Sequence, residues 1–312
     1  MKSGQAASPR ARMRQPAPSP LAVRLLGAIR MDEVVTLQGA PLMGALLAMP
    51  GLTGATSTAL LALIFGNGLL LAHVFMINDW AGIEGDLRDP HRAPRTFVAR
   101  GLTRPQIGFF AVALLAAALA VFAGLGPASL GVAVAIAGLS AVYSTPGIHM
   151  KGRPGFSSAL HLLGGALHFL LGYIVFAPLS LQAVVASSAF GLVFTAGHFT
   201  HEARDHEGDA LNGIRTNAVA MGRRSALIAG FLCFSAAYGL LFLFALAGTL
   251  PRTLVIAGPC YVLHTVAFAR VLRRGLTFNR LKRLQSLYRI LFALIGLALA
   301  VGAVQMWGKP SP

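Results

Sequence analysis

The sequence predicts an all-α, polytopic membrane protein with nine transmembrane helices, arranged as two related four-helix units and a final helix. Hydrophobic residues make up 55% of the 312 residues and charged residues only 12%, about half the charged share of a soluble domain. Apolar stretches long enough to cross a hydrocarbon core of about 30 Å recur along most of the chain. The predicted spans are residues 34–50, 55–77, 105–123, 127–144, 157–177, 180–199, 225–248, 252–269 and 287–307.

The regions outside these spans differ in composition. Residues 1–20 are rich in Pro, Ser, Ala and Arg and lack the apolar core of a signal peptide, so they predict a disordered basic tail. Residues 21–31 predict a short interfacial helix that leads into the first span. We therefore expect a membrane domain over residues 21–307, followed by a short C-terminal tail, 308–312.

The net charge of +16 is distributed as in a membrane protein. All of the 26 Lys and Arg residues except Arg252 and Lys309 fall in the N-terminal region or around the loops after even-numbered spans. Because cytoplasmic loops of membrane proteins carry the excess of Lys and Arg, this pattern predicts a cytoplasmic N-terminus and an external C-terminus. The expected location is a bacterial inner membrane, and the charge distribution argues against a nucleic-acid partner.

Acidic residues are concentrated in two segments that resemble each other. All of the ten Asp and Glu residues except Asp32 and Glu33 lie within residues 78–89 or 201–209. The first segment begins Asn-Asp-Trp-Ala-Gly-Ile-Glu-Gly-Asp, and the second reads His-Glu-Ala-Arg-Asp-His-Glu-Gly-Asp. Each begins at the cytoplasmic end of an even-numbered span, the second and the sixth. Solvated loops would account for the acids but not for a repeated Glu-Gly-Asp at equivalent places.

These segments have the chemistry of a metal and diphosphate site. Glu202, Asp205 and Asp209 share one face of a helix, where bare carboxylates would repel one another. Mg²⁺ relieves such repulsion, and it commonly takes one or two carboxylates together with substrate phosphate oxygens. Basic residues near both segments suit a polyanion such as diphosphate, although any one of them could be a positive-inside anchor. They are Arg88, Arg92, Arg95, Lys151, Arg204 and Arg215.

At these residues the chain resembles the UbiA-type intramembrane prenyltransferases. That family has two aspartate-rich motifs after helices two and six of a nine-helix bundle, Asn-Asp-x-x-Asp-x-x-x-Asp and Asp-x-x-Asp-x-x-x-Asp. The segment from Glu202 to Asp209 fits the second motif with Glu in place of its first Asp, and Tyr143-Ser144-x-Pro146 with Lys151 is similar to the family's loop between helices four and five. In the first motif Asn78, Asp79 and Asp86 are in place, but Gly82 stands where the family has its middle Asp.

The resemblance implies transfer of a polyprenyl group from its diphosphate to a lipophilic acceptor, with an aromatic, quinone-precursor-like acceptor expected. The implied metal is Mg²⁺, with its ligands taken from Asp79, Asp86, Glu202, Asp205 and Asp209. The implied catalytic residues are Asp79, Asp86, Asp205, Asp209 and Lys151. The implied substrate-binding residues are Asn78, Arg92, Arg95, Tyr143, His201, Arg204 and Arg215.

Other interpretations stay open from the sequence. The acceptor could instead be a tetrapyrrole, a glycerol ether lipid or a sugar phosphate. Gly82 leaves room for a non-catalytic relative that binds an isoprenoid or quinone, and duplicated halves also occur in transporters. Four histidines in or near spans five and six could contact the acceptor or take its proton, or could simply be packed and hydrogen-bonded. They are His161, His168, His198 and His201.

Overall fold

A computed structural model of the chain describes residues 19–88, 92–145 and 150–307, with only the backbone of Lys151. The predicted C-terminal tail, most of the N-terminal tail, Asp89 and Pro146 lie outside these residues. The described part is helical and has no strand, so the predicted all-α class is confirmed. Its α-helices are α1 (Leu21–Ala28), α2 (Met31–Leu37), α3 (Gly39–Ala48), α4 (Gly54–Arg88), α5 (Arg104–Leu125), α6 (Pro127–Ser144), α7 (Phe156–Ile174), α8 (Leu181–Leu211), α9 (Asn217–Met221), α10 (Arg223–Leu246), α11 (Ala257–Arg274) and α12 (Phe278–Met306). Short 3₁₀ helices cover Ala93–Arg95, Val98–Arg100, Met150–Gly152 and Arg252–Ile256.

Among the described residues, eight helices are long and apolar enough to cross a membrane, against nine predicted spans. They are α4, α5, α6, α7, α8, α10, the stretch Arg252–Arg274 that contains α11, and α12. The remaining prediction, residues 34–50, is divided between α2 and α3 at Gln38. Pro41 accounts for the break, because it has no N–H to offer the carbonyl of Leu37 four residues earlier. The bundle therefore consists of eight long helices and a broken first one.

The first helices of the two predicted units, α3 and α7, are in backbone contact. A Cβ added at Gly44 of α3 would lie 2.1 Å from the Phe169 carbonyl oxygen, and one added at Gly172 of α7 would meet Pro41. Small residues of this kind let transmembrane helices approach closely and gain van der Waals contact. This crossing joins the two units in the middle of the bundle.

The second helix of each unit carries an acidic segment. With 35 and 31 residues, α4 and α8 are longer than the roughly 20 residues needed to cross the hydrocarbon core. Their additional C-terminal turns contain residues 78–88 and 201–209, so both acidic segments are helical. Because the helices continue unbroken through these segments, the spacing of the acids decides which of them share a face.

Candidate active site

A cavity of about 1490 Å³ is enclosed by α2, α3, α4, α6, α7, α8 and α12 and by the segment 92–100. Most of the predicted site residues line it. They are Asn78, Asp79, Asp86, Arg92, Arg95, Tyr143, His201, Glu202, Arg204, Asp205 and Asp209. The fold thus brings two acidic segments that are distant in the sequence to one chamber.

Asp79 and Asp86 of α4 line the cavity. They are two helical turns apart and therefore share a face of the helix. Glu84 faces away from the cavity: its side chain is 75% exposed, and its Oε1 lies 3.7 Å from Arg104 Nη1. It therefore does not replace the carboxylate missing at Gly82. A Cβ added at Gly82 would have one neighbour within 4 Å, the Asp86 Oδ2 at 3.9 Å, so a side chain there meets no steric obstacle.

On α8, the cavity is lined by Asp205 and Asp209, which are one turn apart. Asp209 is buried, whereas the side chain of Glu207 is 80% exposed and pairs with Arg223. In both copies of Glu-Gly-Asp, the Asp therefore faces the chamber while the Glu makes a surface ion pair.

Glu202 also lines the cavity, and both of its oxygens have protein neighbours. Its Oε2 accepts a hydrogen bond of 2.9 Å from Asn217 Nδ2, and its Oε1 lies 3.0 Å from His198 Nε2. Asn217 in turn donates to the hydroxyls of Ser157 and Ser158. A metal role for Glu202 would require its Oε2 to serve Asn217 and the metal at once, whereas its Oε1 accepts no hydrogen bond within the described part of the chain.

Arg92 connects the two acidic segments. Its Nη1 lies 3.3 Å from Asp86 Oδ1 on α4, and its Nη2 lies 3.7 Å from Asp205 Oδ2 on α8. Burial disfavours the Arg92 cation, but the nearby carboxylates of Asp86, Asp205 and Asp209 raise the pKa of Arg92 above its ordinary value. The guanidinium is therefore a fixed positive charge between the two segments.

Two further arginines hold carboxylates of the chamber. Arg30, which precedes α2, pairs with Asp79 through Nε and Nη2. Arg204 binds Asp205 with both arms of its fork, at 2.7 and 2.8 Å, and its Nη1 donates to Gln285 Oε1 of α12 at 2.8 Å. Each of these pairs removes some of the repulsion expected among neighbouring carboxylates.

The donor set suits a metal ion that arrives with a phosphate ligand. Within the described ranges, no three His, Cys, Asp or Glu side chains lie close enough together to form a metal site unaided. The cavity instead offers carboxylate oxygens from two opposed helices, the hard ligands that Mg²⁺ prefers. Since Mg²⁺ normally completes its shell with water and substrate phosphate oxygens, these residues fit Mg²⁺ bound together with a diphosphate.

Two predicted site residues are not seen in the cavity lining, for different reasons. Arg215 is exposed and does not line the cavity. The side chain of Lys151 lies outside the part of the chain that the structure describes, so its role stays a prediction. Conversely, Arg30, Asp32 and Glu33 line the cavity, although the sequence reasoning placed none of them there. The available signal was that Asp32 and Glu33 are the remaining acids of a carboxylate-poor chain.

A polar wall made by Ser140, Tyr143, His161 and His198 lies beside the acids and also lines the cavity. The rings of Tyr143 and His161 meet edge to face, with centroids 5.3 Å apart. His161 stacks on His198 at 3.7 Å with an interplanar angle of 12°. The wall joins α6, α7 and α8 and gives the cavity polar groups besides its charged ones.

Three solved structures share this architecture. The structure of a UbiA homologue from Archaeoglobus fulgidus bound to GPP and Mg²⁺ has a TM-score of 0.69 and 16% identity, and the match covers 88% of this chain and 99% of that one. The apo structure of a UbiA homologue from Aeropyrum pernix K1 has a TM-score of 0.70 and 19% identity, and the match covers 88% of this chain and 98% of that one. A structure whose description concerns digeranylgeranylglyceryl phosphate synthase in membranes has a TM-score of 0.71 and 19% identity, and the match covers 91% of this chain and 99% of that one. These structural similarities show that the chain has the same fold as the three proteins.

Sequence comparison identifies the family. A search of curated protein sequences gave no match. The model of the UbiA prenyltransferase family, however, matches residues 39–293, which include both acidic segments and the helices that carry them. The chain therefore belongs to the UbiA prenyltransferase family and is a membrane-embedded prenyltransferase.

Proposed function

We propose that this enzyme moves a polyprenyl group from its diphosphate to a lipophilic acceptor with an aromatic ring, and that it uses Mg²⁺. The observation that carries the proposal is the convergence of Asp79, Asp86, Asp205 and Asp209 on one chamber, with Arg92 between them. A site with carboxylates for a metal and guanidinium groups for phosphate oxygens is suited to a diphosphate. The Archaeoglobus fulgidus homologue, described as bound to GPP and Mg²⁺, supports the same donor class.

The charged residues would assist the departure of diphosphate. Asp79 and Asp86 from α4, with Asp205 and Asp209 from α8, would hold the metal, and we retain Glu202 as a further candidate ligand. Bound Mg²⁺ would supply Lewis-acid stabilisation of the charge that develops on the leaving group. Arg92 and Arg95 line the same end of the cavity and would donate hydrogen bonds to its oxygens, and we expect Lys151 to contribute there as well.

The remainder of the cavity suits the prenyl chain and the acceptor. Ionisation of an allylic diphosphate gives a carbocation, which survives only where water is excluded. Below the acids the lining is largely apolar and aromatic, with Phe75, Phe190, Phe194 and Phe292. Aromatic faces stabilise a passing cation and stack on a planar acceptor. This lining supports an aromatic acceptor.

A glycerol ether lipid is the second candidate acceptor. It is favoured by the structural likeness to the protein whose description concerns digeranylgeranylglyceryl phosphate synthase. The polar wall also offers partners for an aliphatic hydroxyl. Parallel assays with both acceptor classes distinguish the two candidates.

The test is a transfer assay with purified protein, labelled geranylgeranyl diphosphate, and a panel of hydroxylated aromatic acids and a glycerol phosphate ether lipid. We expect product that depends on Mg²⁺, and a loss of about 10²–10³-fold in turnover for Asp205→Ala or Asp209→Ala. Glu207→Ala is the matched control, because Glu207 belongs to the same helical segment but faces outward. Unchanged turnover in the Asp variants would contradict the proposed site, and diphosphate binding without product from any acceptor would indicate a non-catalytic binding protein.

We also propose that the acidic end of the bundle faces the cytoplasm of a bacterial inner membrane, with the C-terminus outside. Support comes from the Lys and Arg residues, which concentrate at the acidic end while Arg252 lies at the other. Membrane proteins retain such residues on the cytoplasmic side. Reporter fusions after Gly213 and after Gly248 should give cytoplasmic and external signals, respectively, and the reverse result would contradict this orientation.

A further inference from the structure

A chain of side-chain hydrogen bonds crosses the bundle and ends at His168 of α7. Gln38, at the break between α2 and α3, donates from Nε2 to the backbone carbonyl oxygen of Ile64 on α4, at 3.1 Å. Its Oε1 accepts a hydrogen bond of 2.8 Å from Asn67 Nδ2, also on α4. The Oδ1 of Asn67 lies 3.1 Å from His168 Nδ1. Polar side chains on three segments of the bundle are thereby connected.

The direction of each bond in this chain follows from the first one. A backbone carbonyl oxygen can only accept, so Gln38 presents its amide nitrogen to Ile64 and its amide oxygen to Asn67. Asn67 therefore uses its nitrogen for Gln38 and leaves its oxygen for His168. The hydrogen of that last bond is on Nδ1 of His168, and in the neutral imidazole the lone pair is then on Nε2. The network thus selects one tautomer of His168.

The Nε2 of His168 is the open end of this chain. Among the residues that the structure describes, it has no hydrogen-bond partner, yet it is not sealed off by protein atoms as Nε2 of His201 is. His168 is 6% exposed and lines the cavity, whereas Asn67 is fully buried and does not line it. The ring therefore directs Nδ1 into the protein and exposes its Nε2 edge to the cavity.

His168 lies beside an aromatic ring and far from the acidic segments. The centroids of His168 and Phe194 are 6.5 Å apart. Phe194 precedes Asp205 on α8 by about 16 Å along the helix axis, and Asn67 precedes Asp79 on α4 by about 18 Å. A lone pair in such a place costs free energy unless a donor reaches it. His168 therefore marks a subsite for a polar group of a ligand, separate from the acids.

Of the two substrates in the proposed reaction, the acceptor is the one that can supply this group. The prenyl donor consists of a hydrocarbon chain and a diphosphate, and the chain has no hydrogen-bonding group to reach a subsite remote from the acids. A hydroxylated acceptor has an O–H that can donate to Nε2. A site built to hydrogen-bond a substrate hydroxyl also rejects analogues that lack it, because its own polar group is then left unpaired.

We propose that His168 binds a hydroxyl group of the acceptor through Nε2, and that Asn67 and Gln38 hold the ring in the accepting tautomer; this inference rests on the proposed function. The ligand class is a lipophilic phenol or alcohol. The hydrogen bond orients the acceptor and selects for its hydroxyl, and no proton is transferred in it. His168 is thus a specificity-determining residue.

The experiment compares ligands that differ in this one hydrogen bond. The aromatic pair is para-nonylphenol and its methyl ether, and the aliphatic pair is decanol and its methyl ether. Dissociation constants are measured with the purified full chain in lipid nanodiscs and corrected with empty nanodiscs. No prenyl diphosphate is present, so the measurement does not depend on turnover. For each pair, the affinity ratio of hydroxyl compound to ether is the quantity of interest.

Three variants separate ligand binding from a purely structural role of the network. His168→Asn keeps an amide nitrogen near the position of Nδ1 for Asn67, but it has no counterpart of Nε2. His168→Gln has a longer amide whose oxygen can again accept in the cavity. His73→Asn is the matched control, because His73 Nδ1 contacts the backbone carbonyl oxygen of Ala111 at 2.8 Å, yet His73 does not line the cavity.

For the unmodified protein we expect the hydroxyl compound of at least one pair to bind about tenfold more tightly than its ether, since the ether leaves Nε2 unpaired. This ratio should fall by about tenfold in His168→Asn, recover in part in His168→Gln and stay unchanged in His73→Asn. The pair with the larger ratio assigns the acceptor to phenols or to alcohols. A purely structural role would lower both affinities of a pair equally and leave the ratio unchanged.

Two results would overturn the proposal. One is an equal affinity of the unmodified protein for both members of each pair, which would mean that Nε2 serves water only and which requires no variant to fold. The other is an unchanged ratio in His168→Asn. The proposed function fails by a different result, the absence of transfer to any acceptor, so the two failures are distinguishable.

Discussion

Gly172 of α7 and Pro41 of α3 touch through their backbones: a Cβ added at Gly172 would lie 1.8 Å from the Pro41 carbonyl oxygen. A methyl group at Gly172 must therefore push the two helices apart. We expect Gly172→Ala to lower the free energy of unfolding by about 1–3 kcal/mol, as overpacking does in other cores. Thermal unfolding in detergent measures it. Gly239→Ala is the control, because an added Cβ there has nothing within 4 Å, and equal stability of the two variants would contradict the close contact.

Restoring the carboxylate missing from the first acidic segment should strengthen metal binding. The space at Gly82 is open, and Asp86 Oδ2 is the one neighbour of an added Cβ. We expect Gly82→Asp to lower the Mg²⁺ concentration for half-maximal turnover by about tenfold, since a further carboxylate adds a charged oxygen ligand. The control is Gly85→Asp, where an added Cβ meets nothing within 4 Å. An unchanged Mg²⁺ requirement for Gly82→Asp would mean that this helix does not bind the metal.

Arg92 should bind the donor diphosphate through the shape of its guanidinium as well as its charge. It reaches carboxylates on both α4 and α8, which a single ammonium group cannot do. We expect both Arg92→Ala and Arg92→Lys to raise the KM for the prenyl diphosphate by about 10–100-fold, the cost of a lost charge-assisted hydrogen bond. Arg88→Ala is the control, because Arg88 is exposed at the end of α4 and does not line the cavity. A normal KM for Arg92→Lys would show that charge alone suffices.

Glu202 and Asp209 should differ in how strongly they affect the metal. The Oε2 of Glu202 accepts a hydrogen bond from Asn217 Nδ2, and its Oε1 lies 3.0 Å from His198 Nε2, so Glu202 belongs to a buried network of its own. We expect Asp209→Asn to raise the Mg²⁺ concentration for half-maximal turnover by about tenfold or more, and Glu202→Gln to raise it less. Glu202→Gln should instead lower the melting temperature, because it disturbs a buried network. Equal shifts of the Mg²⁺ requirement would establish Glu202 as a full ligand.

The sequence predicted those features that depend on spacing along one helix. Asp205 and Asp209 share a face because they are four residues apart, and the helical period places Glu84 on a different face of α4 from Asp79 and Asp86. Both relationships are present in the structure. The break at Gln38 could also have been found, because Pro41 inside an apolar run signals an interruption.

Features that depend on contacts between distant segments could not be found in this way. Arg30 appeared as one of many basic residues of the N-terminal region, and only the packing of α2 against α4 brings it to Asp79. Arg215 follows Gly213, whose φ of +67° turns the chain after α8, and it ends exposed outside the cavity. A helical spacing rule does not extend across such a turn.

The position of Arg92 has a consequence for how the protein folds in the membrane. The two halves of the chain enter the membrane one after the other, and their acidic ends must then come together. Carboxylates on opposed helices would repel at that moment, but the chain brings its own counter-ion between Asp86 and Asp205. Arg92 therefore offsets this repulsion without a bound cation, so the approach of the two acidic ends does not by itself require magnesium.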